Sequence, residues 1–324
     1  MKNILITGGA GYIGSHVVEI LIKKKKNIFI VDNLCTGFKK LLNKKANFIN
    51  LNILNTTKLK KIIIEKKIDS VIHLAASLSI GVGEKYPKLY YKNNVLGTKS
   101  LLNACTNSLV KNFIFSSTAA VYKEGQKFVS EKSKVEPKSV YGKTKLLAEK
   151  QILLNCKKMK INYGILRYFN VCGASSSGKI GIISKGDHLF KNISAEVIKK
   201  KPIIKIYGNN YNTPDGTAIR DFIHVSDLAE VHYQVLKKIS KTKKSKVINC
   251  GYNRGISVKQ VVEEFKIQVK KPIKIKFQNR RPGDMEVIIS NNKNLKKLIN
   301  WKPKYNSLKT IVKSCIRWEK SINS

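Results

Sequence analysis

Tyr141 and Lys145 stand four apart at the head of a helical run, within Ser139-Val140-Tyr141-Gly142-Lys143-Thr144-Lys145. On a helix that spacing puts the ammonium one turn beyond the phenol, on the same face. A phenol is a poor base in water, with an ordinary pKa of about 10, and a nearby cation favours the phenolate. Bringing it to neutrality takes roughly 4 kcal/mol at about 1.36 per unit. One ammonium supplies part of that, and a second positive charge beside it would supply more. In so lysine-rich a chain the pair also arises by chance, so its meaning depends on its surroundings.

Lys2 to Thr7 reads as a short buried strand. It breaks into Thr7-Gly8-Gly9-Ala10-Gly11-Tyr12-Ile13-Gly14, then an apolar helical pattern through Val17, Val18, Leu21 and Ile22. A second strand, Ile28 to Val31, ends in Asp32. Between a strand and a helix this glycine spacing is a dinucleotide-binding signature. Gly8, Gly11 and Gly14 allow a tight turn, and backbone N–H groups there, those of Tyr12 and Ile13 included, can approach a pyrophosphate at the helix N-terminus. Asp32, 18 residues after Gly14, would accept hydrogen bonds from the adenosine ribose diol. Its carboxylate repels a 2′-phosphate, which favours NAD over NADP. A positively charged nicotinamide is then the second cation that the Tyr141 phenol calls for.

Further α/β alternation follows. Asn47 to Ile53 reads as strand, Lys58 to Lys66 as helix, and Ser70 to Leu74 as strand leading into Ala75 and Ala76, small enough for a dinucleotide to lie close. Pro87 to Thr106 reads as one helix that carries Asn93-Asn94, for which a structural and a site role are equally open. Lys111 to Ser116 is a strand running into Ser116-Ser117-Thr118, hydroxyls at the sheet edge where ligands of open α/β folds sit. The strand Asn162 to Phe169 follows the Tyr141 helix.

Composition sets the limits. The 324 residues suffice for a large core or two lobes, and 42% hydrophobic content is that of a globular protein. The N-terminal apolar stretch is too short for a signal peptide, and no apolar run approaches the ~20 residues of a membrane span. Cys35, Cys105, Cys156, Cys172, Cys250 and Cys315 are scattered, which reads as reduced thiols of a cytoplasmic protein, with no metal site. The net charge of +43 invites a nucleic-acid partner. It is almost all lysine, spread along the chain with abundant Ile and Asn, three residues that share A/T-rich codons, whereas a nucleic-acid face concentrates charge and mixes in Arg and aromatics. Specific nucleic-acid binding is not expected. Arginine is scarce, so each one points to a need for the bidentate fork; Arg220 and the Arg280-Arg281 pair are phosphate-binding candidates.

The order T-G-G-x-G-Y-I-G, Asp32-Asn33, His73-Leu74-Ala75-Ala76, Ser116-Ser117-Thr118 and Y-x-x-x-K resembles that of the extended short-chain dehydrogenases/reductases. Tyr168-Phe169-Asn170-Val171-Cys172-Gly173-Ala174, the run Asp215 to Val225 and Arg281-Pro282-Gly283-Asp284 resemble its nucleotide-sugar branch, from end to end of the chain. The resemblance implies NAD-dependent 4-epimerisation of a UDP-hexose, UDP-galactose to UDP-glucose, through a 4-keto sugar. It gives Tyr141 the role of base, Lys145 that of its partner and holder of the nicotinamide ribose, and Thr118 that of a hydroxyl shared with the sugar 4-oxygen. Around the cofactor it places Asn33, Asn52, Ile53, Leu74, Asn93, Ser116, Tyr168 and Phe169. It assigns the substrate diphosphate to Asn170, Arg220 and Arg281, the uridine ribose to Asp284, and the base pocket to Leu189, Tyr207 and Phe222.

The chain departs from that pattern in places. Asn52 stands where Asp is usual against adenine, and Leu78 where some members carry lysine near the pyrophosphate. Ile288 is intermediate between the large residue that excludes N-acetylated sugars and the small one that admits them. UDP-N-acetylhexosamine or UDP-glucuronate 4-epimerisation is therefore an alternative. A 4,6-dehydratase would need Asp-Glu where Ala119-Ala120 stand. A non-catalytic NAD sensor or scaffold would not need the Thr118, Tyr141 and Lys145 set.

The expected architecture is α/β: a Rossmann-type doubly wound parallel sheet over residues 1–170, with a smaller C-terminal α/β substrate lobe over 171–324. Within 222–250, Phe222 to His224, the helix after Ser226 and the strand Lys246 to Cys250 are expected to return to the first lobe. The Gly- and Ser-rich stretch Ser175 to Gly186 reads as a mobile loop over the substrate. Homodimerisation through the helices at 87–106 and 141–156 is implied by resemblance.

Overall fold

The computed structural model describes every residue except Lys185, Asp187, Pro282 and Ser324. Its first part runs β1 (Asn3–Thr7), α1 (Tyr12–Lys23), β2 (Asn27–Asp32), β3 (Asn47–Asn50), α2 (Thr56–Glu65) and β4 (Ser70–His73). Then come α3 (Ile80–Lys85), α4 (Pro87–Tyr90), α5 (Gly97–Ala104), β5 (Asn112–Thr118), β6 (Phe128–Val129), α6 (Val140–Lys158), β7 (Asn162–Tyr168) and β8 (Asn170–Cys172). The remainder runs α7 (Leu189–Val197), β9 (Ile203–Tyr207), β10 (Ile219–His224), α8 (Val225–Thr242), β11 (Lys246–Cys250), β12 (Gly255–Ser257) and α9 (Val258–Val269). It closes with β13 (Lys274–Gln278), β14 (Val287–Ser290), α10 (Lys293–Ile299) and α11 (Leu308–Asn323).

Seven strands form one parallel sheet in the order β11-β7-β5-β4-β1-β2-β3, the doubly wound fold that the alternating pattern predicts. Successive side chains on a strand point to opposite faces. Ile4, Ile6, Ile28, Ile30 and Ile72 therefore pack on one face against Val17, Val18 and Leu21 of α1 and Leu228, Val231 and Val235 of α8. Leu5, Val31, Val71, Phe113 and Phe115 pack on the other against Leu59 and Ile63 of α2, Leu101 and Leu102 of α5 and Ala148 and Ile152 of α6. Strand order reverses between β1 and β4, which opens a crevice at their carboxyl ends.

The smaller lobe has a sheet in the order β12-β10-β14-β6, with β8 also paired to β10, and a separate parallel ribbon of β9 and β13. Here the sequence reading needs correction. Phe222 to His224 lie on β10 in this small sheet; only α8 and β11 join the large one. Phe128 and Val129, inside the expected first lobe, pair with Ile289 and Ser290 of β14. Hydropathy marks Phe222 to His224 as apolar but does not say which sheet receives them, and the two-residue strand at Phe128-Val129, whose first side chain is exposed, carries no sequence signal.

The 87–106 helix is interrupted. Residues Tyr91–Leu96 form a π-helical segment between α4 and α5. Asn94 is thereby turned inward, bonded to the Ser77 backbone, and Asn93 reaches the Ser77 hydroxyl, so the polar pair is not a flaw in a packed helix. The stretch from Ser175 is also not loose. Trp318 Nε1 donates to the Ile182 carbonyl at 2.7 Å, Arg317 Nη1 to the Ser176 carbonyl at 2.9 Å, and Ile180 and Ile183 pack beside Trp318. Lys185, within that stretch, lies outside the described residues.

Burial holds four histidines neutral. It lowers His16 and His232 from the ordinary 6.5 to about 4, and His73 and His224 to about 3. Below about pH 6.5 the unfolded chain takes up protons that the folded one refuses, so stability falls as pH falls from there towards 4. Urea midpoints should drop between about pH 7 and about pH 5; midpoints that do not move would contradict the buried neutral histidines.

Candidate active site

At the crevice the chain approaches itself through backbone alone. Gly8 has φ +74°, and a Cβ there would lie 2.6 Å from the Ala75 nitrogen; one on Gly14 would lie 2.1 Å from the Gly8 carbonyl oxygen. Helix α1 starts at Gly11 with no side-chain cap and no acid in its first turn. The N–H groups of Tyr12, Ile13 and Gly14 have no acceptor among the described residues, as the first turn of any helix leaves them. Asp32 Oδ2 accepts from Ala10 N at 3.0 Å and Oδ1 from Leu34 N at 2.9 Å, which fixes its carboxylate against the glycine turn. Orphan donors, glycines that a Cβ would foul and a fixed carboxylate suit a dinucleotide. Leu74, Ala75 and Ala76, half-buried after β4, form the facing wall.

A buried polar chain ties that wall to the Tyr141 helix. Thr98 Oγ1 donates to the Asn94 carbonyl at 2.6 Å, so it must accept from His73 Nε2–H at 3.0 Å. His73 Nδ1 then accepts from Thr7 Oγ1 at 2.7 Å. Asn94 Nδ2 donates to Thr144 Oγ1 at 3.0 Å, and Thr144 Oγ1 to the Tyr141 carbonyl at 2.9 Å. His73 was visible in the sequence; Asn94, Thr98 and Thr144 carried no signal as its partners.

Ser139 caps α6 through its hydroxyl, which accepts from Gly142 N at 3.1 Å. Gly142 brings the helix start so close to the end of β5 that a Cβ there would lie 2.4 Å from the Ala120 carbonyl oxygen. Tyr141 is thereby set against Thr118. Burial pushes its phenol up from 10.0 to about 12, and the Thr118 hydroxyl works against that rise. Lys145 is 1% exposed, with Nζ 4.5 Å from the centre of the Phe115 ring and no hydrogen bond to a described residue. Burial pulls it down from 10.5 to about 7, against the Glu149 carboxylate one turn on. The sequence reading has Lys145 draw the phenol towards neutrality. Burial instead drives both groups towards their uncharged forms.

Glu149 is otherwise engaged, a link the sequence did not reveal beyond its spacing of four from Lys145. Its Oε1 accepts from Arg167 Nε at 3.0 Å and from the Ser117 hydroxyl, and its Oε2 from Arg167 Nη2 at 2.7 Å. Arg167, scarce as arginine is here, serves this buried fork.

Other expected cofactor neighbours use their polar groups locally. Tyr12 donates its hydroxyl to the Gly173 carbonyl at 2.6 Å and so ties the glycine turn to the smaller lobe. The Tyr168 hydroxyl donates to His232 Nε2, since His232 Nδ1–H is given to the Leu228 carbonyl. The hydroxyl of Ser116, buried, lies beside Tyr168, and Phe169 packs with Ala119 and Ile288. Asn33 and Asn52 accept from Cys35 N and Leu54 N in short turns, and Ile53 is buried against Gly97.

Of the residues expected to hold the substrate, Arg220, Arg281, Asp284 and Tyr207 come together. Arg281 Nε donates to Asp284 Oδ2 at 3.0 Å, with its guanidinium 5.1 Å over the Tyr207 ring. Arg220 Nη2 lies 4.0 Å from Asp284 Oδ1, while Nη1 donates to the carbonyls of Ile219 and Glu286. Pro282, within the same motif, lies outside the described residues. Asn170 is exposed beside Phe222 in register. Phe222 is 3% exposed, edge-on to Phe190 at 5.1 Å between ring centres, and Leu189 packs on the same cluster; these two serve the lobe's core. Ile288 is buried in register with Arg220, in one cluster with Ala119 and Phe169.

The fold and this site define a nucleotide-dependent α/β enzyme of the Tyr-x-x-x-Lys kind. Residues 4–251 match the model of the NAD dependent epimerase/dehydratase family. A UDP-glucose 4-epimerase of Lactobacillus helveticus is 38% identical over 98% of this chain and 97% of its own length. The crystal structure of a UDP-glucose-4-epimerase from Stenotrophomonas maltophila, with bound NAD and formylated UDP-arabinopyranose, superposes with a TM-score of 0.95 at 29% identity, over 100% of this chain and 99% of that one. A UDP-Glc/GlcNAc 4-epimerase from Campylobacter jejuni superposes with a TM-score of 0.85 at 36% identity, over 99% of this chain and 100% of that one. The chain belongs to the NAD dependent epimerase/dehydratase family, and its cofactor is NAD.

The Lys145 ammonium makes a specific demand on stability. From about pH 7 upward the unfolded chain holds a proton on this lysine that the folded chain sheds, so folding grows more favourable as pH rises towards the ordinary 10.5. In cofactor-free protein urea midpoints should rise between about pH 7 and about pH 8.5, below the ordinary thiol range. Lys145→Met should flatten that slope; an unchanged slope would show that the charge is not buried.

Proposed function

We propose that this chain is an NAD-dependent UDP-hexose 4-epimerase that interconverts UDP-galactose and UDP-glucose through a 4-keto sugar. One observation carries the reading. Thr118, bonded to the Tyr141 phenol, is followed by Ala119, which packs in one apolar cluster with Phe169 and Ile288, and Ile288 stands in register with Arg220, which faces Asp284 and its partner Arg281. A candidate base and a candidate nucleotide clamp are thus joined through one small cluster.

NAD supplies the acceptor, and then the donor, of the hydride at sugar C4. Tyr141, with Thr118 beside its phenol, takes the proton of the 4-hydroxyl and gives it back. Lys145 holds the nicotinamide ribose through an ammonium that bonds no described residue. The N–H groups of Tyr12, Ile13 and Gly14 hold the pyrophosphate and Asp32 the adenosine ribose. Arg220, Arg281 and Asn170 grip the substrate diphosphate and Asp284 the uridine ribose, with Tyr207 by the base. The charged groups gather on the nucleotide side, so the hexose is gripped weakly and can turn to present its other face. Ala119 and Ala120 supply no carboxylate for elimination, which separates this reading from a dehydratase.

The chain works as a homodimer. Tyr86, Leu89, Tyr91, Leu96, Leu147 and Leu154 are exposed apolar residues on or beside α4, α5 and α6, and a second copy of this face would cover them. Sedimentation should give twice the chain mass, and Leu154→Glu with Leu89→Glu should shift it to monomer; a wild-type monomer would refute the dimer. No helix of the described residues is long and apolar enough to cross a membrane. The six free cysteines fit a cytoplasmic setting.

Incubated with UDP-galactose, purified protein should produce UDP-glucose, followed by NMR; failure to do so would overturn the reading. Tyr141→Phe should lower turnover by about a hundredfold to ten-thousandfold, the usual weight of general acid–base catalysis, and leave UDP binding intact.

A further inference from the structure

Tyr211 lies in the loop between β9 and β10, on no strand or helix, yet it is 5% exposed. Its hydroxyl is buried with no hydrogen-bond partner among the described residues. A buried hydroxyl without a partner is disfavoured, and folded proteins rarely leave one so.

The loop is built to put it there. Gly208 has φ +84°, and a Cβ on it would lie 2.4 Å from the Tyr211 ring; Gly216 has φ +74°, and a Cβ on it would lie 2.2 Å from the Asn209 carbonyl oxygen. Tyr211 N donates to the Gly216 carbonyl at 3.0 Å, and Asn212 N to Glu286 Oε2 at 3.1 Å. The Arg280 guanidinium lies 4.0 Å over the ring and is held in turn by Asn210, whose Oδ1 accepts from Arg280 Nε at 2.7 Å. The face of Tyr211 thus has a structural use, as a bed for Arg280. Its hydroxyl has none.

The charges that act on the hydroxyl are Asp284, Arg220, Arg280 and Arg281. Three of these are donors only, and the Asp284 carboxylate takes the Arg281 Nε–H instead. An anionic oxygen held by Arg220 and Arg281 would supply the missing acceptor.

We propose that Tyr211 is a further nucleotide-binding residue, its hydroxyl donating to an oxygen of the nucleoside diphosphate that Arg220 and Arg281 hold. This rests on the reading of Arg220, Arg281 and Asp284 as the nucleotide clamp. The hydroxyl bonds no described residue, so removing it weakens the ligand and spares the fold.

Calorimetric titration of UDP and of uridine into NAD-loaded wild type and Tyr211→Phe tests it. The variant keeps the ring under Arg280. It should bind UDP roughly tenfold or more weakly, the weight of one hydrogen bond to a charged group. Its KM for UDP-galactose should rise with kcat little changed, and it should melt no lower than wild type. Uridine binding that is unchanged in the variant assigns the contact to the diphosphate; uridine binding that falls in parallel assigns it to the ribose. UDP bound as tightly by Tyr211→Phe as by wild type would overturn the inference alone. A variant melting well below wild type would overturn it too, by revealing a structural partner for the hydroxyl. Wild type that bound no UDP would overturn the clamp, and this inference with it.

Discussion

Lys145 carries its ammonium into a place where no described residue offers it a hydrogen bond, between the face of Phe115 and a carboxylate already engaged by Arg167 and Ser117. Burial without a full partner draws the group to about 7, and the same burial raises the Tyr141 phenol to about 12. A site arranged like this is completed by what binds in it. In the proposed reaction a ribose diol would satisfy the ammonium, and the positive charge of NAD beside the phenol would offset its desolvation. Keeping the two groups in place demands a stiff frame.

Two devices supply the stiffness. One is steric: the contacts of Gly8 with Ala75, Gly14 with Gly8 and Gly142 with Ala120 leave no room for a Cβ, so the glycine turn, the β4 end and the Tyr141 helix are held at fixed separations. The other is the chain Thr7, His73, Thr98, Asn94, Thr144, which reaches the backbone of Tyr141 itself. Each member is satisfied, and burial keeps His73 neutral, so the directions of its hydrogen bonds do not change across the physiological range.

The substrate side is stiffened differently. The β9–β13 ribbon stands apart from both larger sheets; Tyr207 ends β9, and the loops that follow β9 and β13 carry Tyr211, Arg280, Arg281 and Asp284. Each arginine of the pair lies on a tyrosine at or just beyond the end of β9. The two stacks hold the guanidinium groups over the tyrosine rings.

Much of this was legible from residue order alone. The glycine turn, Asp32, Thr118, Tyr141 and Lys145 stand in local patterns whose spacing already implies their geometry, and the alternating apolar runs imply a parallel sheet wound on both faces. Strand assignment at Phe222 to His224 and at Phe128-Val129 was not legible, because hydropathy reports burial but not the partner. The π-helical turn at 91–96 and the anchoring of the Ser175 stretch on Trp318 escaped for the same reason. Sequence by itself determined which residue types could perform the chemistry, since backbone conformation and helix period are local properties. Tertiary packing alone decided how those residues are charged and which polar groups are left without partners, because desolvation depends on everything that surrounds a group in space.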